Sequence, residues 1–142
     1  MHQIVKQAFK YWEKRNCARS TSCAILDYYG FSEYTNVLDS AMILFGGGAG
    51  ERSICGSLLG ALAGMGVVLK EKGLEEKEIY KKSKYLKAGF KKEMGTLRCR
   101  EILADFLDEN GVLDKDHPDR SPLCDKTVET AVLEVLRIID NI

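Results

Sequence analysis

Proline is scarce, with two in 142 residues, so helices can run without the breaks that a proline ring imposes. Strand-like alternation is also missing; apolar residues recur at helical spacing instead. No CxxC pair occurs, which excludes a thioredoxin-type motif, and no CxxCH, which excludes covalently attached haem. HExxH and serine–histidine–acid arrangements are absent. Net charge is zero, 21 basic residues against 21 acidic ones. Charge therefore offers nothing to a nucleic acid, and the arginines and stacking aromatics of such a surface are lacking too. The charges are uneven, with Lys70 to Lys92 net positive and Glu101 to Ile142 net negative. Two solvated helix faces account for that pattern. A membrane span needs about 20 apolar residues. The uncharged run from Ile54 to Leu69 supplies sixteen, four of them glycine. The segment Met1 to Lys14, broken by Lys6, Lys10 and Glu13, has no apolar core of a secretory signal, so the expected compartment is the cytoplasm. Five cysteines there are not expected to form structural disulfides, and their odd number also argues against a fully paired set.

What is present reads as an all-α chain: one compact domain over residues 1–142, about six helices around a buried glycine-rich central helix. Ile4, Val5, Ala8, Phe9 and Trp12 make the stripe of a first helix. Asn16 caps a second that ends near Gly30. A third begins near Ser32 and is expected to bury Val37, Leu38, Ala41, Met42 and Phe45. The central helix follows. A fifth carries Ile79, Ser83, Leu86 and Phe90 on one face and stops near Gly95. Thr96 is expected to cap a sixth with Ile102, Leu103 and Phe106, ending near Gly111. Ser121 is expected to cap the last, with Pro122 in the first helical position, burying Val128, Ala131, Val132, Val135 and Ile139.

The stretch FGGGAGERSICGSLLGALAGMG raises the question of a nucleotide. A phosphate loop counted from Gly46 needs glycine where Glu51 stands, and no lysine follows. A dinucleotide fingerprint meets Glu51 or Ser53 where glycine is required, so no nucleotide motif is present. Gly56, Gly60 and Gly64 instead fall on one bare helical ridge. Each interior glycine costs roughly 1 kcal/mol relative to alanine, and with Gly66 the total is about 4 kcal/mol. Close approach of a neighbouring helix, or of a bound group, is the natural offset; Gly64 and Gly66 could also mark the helix end.

Four of the five cysteines fall at expected helix starts. Cys17 follows Asn16, Cys55 follows Ser53 by two, Cys99 follows Thr96 by three, and Cys124 follows Ser121 by three. Helix N-termini and the basic neighbours Arg19, Arg52, Arg98, Arg100 and Lys126 favour thiolate and are expected to lower these pKa values. If the four starts converge, Cys17, Cys55, Cys99 and Cys124 make one site. Its chemistry is either soft-metal ligation, by zinc or an iron–sulfur cluster, or a dithiol–disulfide couple. Cys23 lies about 240° round the helix from Cys17 and reads as a small buried hydrophobe. His117 sits in the polar loop near Cys124 and reads as an exposed histidine, with auxiliary ligation the lesser option.

NCARS, the glycine run with CGSLLG, MGTLRCREIL and SPLC together resemble the C_GCAxxG_C_C family, whose members carry four characteristic cysteines and a CGAxxG motif. Ser57 stands where that family usually has alanine, and Cys23 is extra to the pattern. The resemblance implies a redox-active protein using Cys17, Cys55, Cys99 and Cys124 as redox thiols or metal ligands. It also implies an electron-transfer or transporter-associated partner. The family is similar to the helical part of split-Soret cytochromes, which implies a helical fold and an iron–sulfur site, without the haem. No substrate follows, and whether the protein is an enzyme stays open. A non-catalytic helical interaction module with structural cysteines is the reading from another class. The uncharged central helix leaves a homodimer open.

Overall fold

The computed structural model describes all 142 residues. Seven α-helices follow in order: α1 (Gln3–Trp12), α2 (Cys17–Tyr28), α3 (Thr35–Ala41), α4 (Gly56–Glu71), α5 (Glu76–Met94), α6 (Cys99–Ile102) and α7 (Arg120–Ile139). Short 3₁₀ turns join them at Ser32–Tyr34, Ile43–Phe45 and Ala104–Phe106. The only extended pairings are two isolated bridges, Ile54 with Arg98 and Leu107 with Leu113. No helix is long and apolar enough to cross a membrane.

Local signals place most of these elements. The Asn16 side chain accepts from Arg19 N–H at 2.8 Å and starts α2. Gly95, at φ 84°, closes α5 in the left-handed conformation that glycine tolerates. The core is one cluster of 19 buried residues, drawn mainly from α1, α2, α4, α5 and α7. Ile4, Val5 and Ala8 of α1 meet Val128, Ala131, Val132, Val135 and Ile139 of α7 in that cluster, as their periodicity requires.

The central helix is α4, and it runs through Gly64 and Gly66 to Glu71. Its glycine ridge lies against α2. A Cβ at Gly60 would overlap the Ala18 carbonyl and the Thr21 hydroxyl; one at Gly56 would overlap Cys17 Sγ; one at Gly64 would come within 3.1 Å of Ile25 Cβ. The offset for the glycines is thus helix-on-helix approach, and at Gly56 it is also room for a sulfur. Gly66 faces open space and has no packing reason.

Three expectations are corrected. The stripe assigned to the third helix is not buried. Met42 is and Leu38 is half-buried against the core, but Val37 and Phe45 are 63% and 40% exposed, and Ala41 is exposed as well. Asp39 decides this: its carboxylate accepts from Arg15 Nε at 3.0 Å and Arg19 Nε at 2.8 Å, which turns that face of α3 towards α2. The sixth helix stops after one turn. Asp108 accepts from the backbone N–H groups of Asn110 and Val112, each at 2.8 Å, and this competing turn pulls the chain out of the helix before Gly111. Finally, α7 begins at Arg120, so Pro122 is its third residue and not its first. Proline still loses nothing there, because the first four N–H groups of a helix have no partner inside it.

Candidate four-cysteine site

The backbone brings the cysteines together from four directions. Cys17 opens α2. The cap residue beside it, Asn16, donates from Nδ2 to the carbonyls of Met42 (3.2 Å) and Ile43 (2.9 Å), tying this helix end to the chain that enters the glycine loop. Cys55 is the N-cap residue of α4. Its N–H donates to the Leu97 carbonyl at 2.8 Å, while Cys99 N–H donates to the Ser53 carbonyl at 2.6 Å. That two-way clamp around the Ile54–Arg98 bridge fixes Cys55 and Cys99 as neighbours. Cys124 arrives on the second turn of α7.

Cys17, Cys55, Cys99 and Cys124 line one cavity of about 280 Å³; Cys23 does not. Cys23 is fully buried elsewhere, its thiol directed at the Thr35 carbonyl at 3.8 Å. Burial pushes it up to about 11, and the Asp39 carboxylate adds to that. All five cysteines are free thiols. The histidine expected near Cys124 is not part of the site. His117 packs at a tilt against Phe106, with ring centroids 4.8 Å apart and planes 51° apart, and its Nδ1 accepts from Asp119 N–H at 3.2 Å.

The expected lowering of the thiol pKa values does not occur at three of the four positions, because burial outweighs the helix termini. Cys55 is pushed up to about 12, first by burial and then by the neighbouring Cys17; the backbone N–H groups of Ser57 and Leu58 and the Thr127 hydroxyl pull the other way without prevailing. Burial also raises Cys99, against Arg52, and Cys124, against Arg120. Local structure explains the weak opposition. α6 is a single turn, and Cys124 lies in the second turn of α7, beyond the free N–H groups. Cys17 is the common neighbour: its charge would raise the cost of ionising each of the other three.

Beneath the cavity a buried polar chain joins three helices. Thr21 donates to the Ser57 carbonyl at 2.9 Å, the Ser57 and Thr127 hydroxyls pair at 2.8 Å, and Thr127 lies 2.7 Å from the Cys124 carbonyl. The Ser57 hydroxyl is therefore satisfied by Thr127 of α7.

Three arginines, Arg15, Arg52 and Arg120, also line the cavity, and no aspartate or glutamate does. Arg52 is visible in the sequence as a basic neighbour of Cys55; its Nη1 instead stands 4.0 Å from Cys99 Sγ. Arg52 also sits at φ 54°, a left-handed conformation that costs a non-glycine residue roughly 1–2 kcal/mol. Ala49 is the other such residue, and Gly47, Gly48 and Gly50 share the conformation without that penalty. Arg100 braces this loop by donating to the carbonyls of Glu51 (3.0 Å) and Arg52 (3.5 Å). Sequence reasoning misses Arg120 and Trp12. The spacing of Arg120 and Cys124, one helical turn, is the available signal for the first; Trp12 has only its core stripe, and its Nε1 donates to Asp125 at 2.7 Å across to α7. Arg19 and Arg98 are engaged instead with Asp39 and Glu101.

Four thiols without carboxylates suit a soft metal in donor type. As the side chains stand, however, no three cysteine, histidine, aspartate or glutamate side chains are grouped as metal ligands.

Among protein families, one described as "Putative redox-active protein (C_GCAxxG_C_C)" matches residues 15–138, a span that holds all four cavity cysteines. No curated protein and no solved structure matches the chain.

Proposed function

The chain belongs to the C_GCAxxG_C_C family, and from that premise we propose that it is a thiol–disulfide redox protein whose Cys17, Cys55, Cys99 and Cys124 act as one centre. The observation that carries this reading is the shared cavity with Cys17 as the common neighbour of the other three. Cys17 and Cys124 are half-buried while Cys55 and Cys99 are buried; of the two, Cys17 is the neighbour that the other three share, so in this reading Cys17 meets an oxidant and passes the disulfide inward. In that step an outside disulfide is attacked by the Cys17 thiolate, one thiol leaves, and a second cavity cysteine displaces the other. Two electrons and two protons end on the released thiols, and one disulfide remains in the protein.

The test is equilibration in dithiothreitol buffers of graded potential, followed by peptide mapping. The expected result is a reversible two-electron couple with Cys17 in the disulfide and Cys23 free. Thiols that stay reduced and alkylate independently after oxidant would overturn it.

A soft-metal centre is the second reading, favoured by four sulfur donors and no carboxylate around one cavity. The same four cysteines would hold zinc or an iron–sulfur cluster, the latter supplying one-electron chemistry to an electron-transfer partner. Anaerobic purification with metal and acid-labile sulfide analysis tests it; a colourless, metal-free protein sinks it.

A further inference from the structure

Two of the cavity's guanidiniums have no carboxylate to answer them. Arg15 is paired with Asp39, but Arg52 and Arg120 take part in none of the ion pairs of the protein. Arg120 Nε is buried without a hydrogen-bond partner. Arg120 is also the first residue of α7, where a cation opposes the helix dipole and an anion is favoured. Arg52 is held in a left-handed backbone that glycine adopts more easily. Both arginines thus stand where local structure disfavours them. Each lies beside a different cysteine, Arg52 by Cys99 and Arg120 one turn before Cys124. Apolar Ile102, Leu103 and Leu113 share the lining.

Resting on the thiol-redox reading above, we propose that the cavity's substrate is a small disulfide carrying a carboxylate at each end. A guanidinium takes a carboxylate through two parallel hydrogen bonds, and two guanidiniums beside two cysteines place a dicarboxylate with its sulfurs near thiols. A cavity of about 280 Å³ stands at the small end of ligand sites, which run from roughly 300 Å³ upward, so the substrate is a small molecule and not a protein loop. The reaction is the exchange written above: the substrate's S–S bond breaks, a protein S–S bond forms, and two carboxylate-bearing thiols leave with the two protons.

Three disulfides of similar size separate the possibilities: dithiodiglycolate (anionic), hydroxyethyl disulfide (neutral) and cystamine (cationic). Their rates with the fully reduced full-length protein are each divided by the rate with 2-mercaptoethanol at the same ionic strength, a thiol with no charged substituent, which removes intrinsic reactivity. The anionic disulfide is expected to exceed the neutral one by about tenfold for each guanidinium engaged, with cystamine slowest. In Arg52→Gln/Arg120→Gln, checked for native helicity by circular dichroism, that ratio falls towards one, while Arg98→Gln keeps it. A wild-type ratio near one overturns the proposal, and so does a ratio that survives in the double variant. Equal slowing of all three disulfides in the variant also overturns it, because the arginines would then serve only the protein's own thiolates. In these cases the thiol-redox reading stands. A reduced protein that exchanges with none of the three, though iodoacetamide reaches its thiols, overturns both.

Discussion

The close seating of α2 on α4 can be tested by two glycine-to-alanine substitutions with opposite outcomes. In an exposed helix interior, alanine is worth about 1 kcal/mol over glycine. Gly66 lies inside α4, and nothing stands within 4 Å of the place its methyl would take, so Gly66→Ala should realise that gain. At Gly60 the same methyl meets the Ala18 carbonyl and the Thr21 hydroxyl. A carbonyl cannot rotate aside, so α2 must move, and Thr21 also loses the seating for its 2.9 Å bond to the Ser57 carbonyl. Overpacking of this kind costs about 3 kcal/mol at the upper end of its usual range, leaving a net loss of about 2 kcal/mol after the propensity gain. Unfolding entropy of about 2.1 cal/mol/K per residue gives about 3 °C per kcal/mol for a chain of this length. Thermal unfolding followed by circular dichroism should therefore show Gly66→Ala about 3 °C higher than wild type and Gly60→Ala about 6 °C lower. Because Cys17 lies one turn before Thr21 on α2, Gly60→Ala should also change the alkylation rate of Cys17, whereas Gly66→Ala should not. A neutral or stabilising Gly60→Ala would refute the close-packing account of the ridge, and with it the argument that Gly56 makes room for a sulfur.

The site itself yields three more tests. The Cys55 thiol is raised from 9.0 to about 12, so it ionises earlier in the unfolded chain than in the fold; stability is full below about pH 9 and declines as pH rises towards 12, and urea midpoints across that window should fall less steeply in Cys55→Ala. Arg52→Gly removes a left-handed arginine and should raise the urea midpoint, by about 1–2 kcal/mol of stability, while it lowers the preference for an anionic disulfide about tenfold, leaving the share of Arg120; a lower midpoint would mean that the guanidinium holds the loop. Trp12, the only tryptophan, lines the cavity, so its emission should change reversibly when the cysteines are oxidised and reduced, and the change should be lost in Cys17→Ser.

Much of the fold is legible in the sequence because it is encoded locally. The stripes of α1, α5 and α7, the cap at Asn16 and the glycine stops at Gly30 and Gly95 depend on neighbours a few residues away. The α3 region misleads for the opposite reason. Its apolar spacing is real, but the ion pairs of Asp39 with Arg15 and Arg19 set its orientation, and those lie across helices. Gly111 misleads because the turn around Asp108 competes with the helix through side-chain bonds that a periodicity count ignores.

The site divides in the same way. Position at a helix start separates Cys17, Cys55 and Cys99 from Cys23, which helical angle sends to another face; Cys124 joins them from the second turn of α7, because that helix begins earlier than the Ser121 cap the sequence suggests. The order of residues is also enough to require that α4 be approached closely, since a glycine ridge needs an offset. What approaches it emerges from the packed chain alone, namely α2 with Cys17 at the end of the contact. Packing also sets the electrostatics. A sequence shows helix termini and basic neighbours, which favour thiolate, but burial belongs to the folded molecule, and at Cys55, Cys99 and Cys124 burial prevails. The unpaired guanidiniums of Arg52 and Arg120 are hidden from the sequence for the same reason: an arginine lacks a partner only once folding has placed every carboxylate elsewhere.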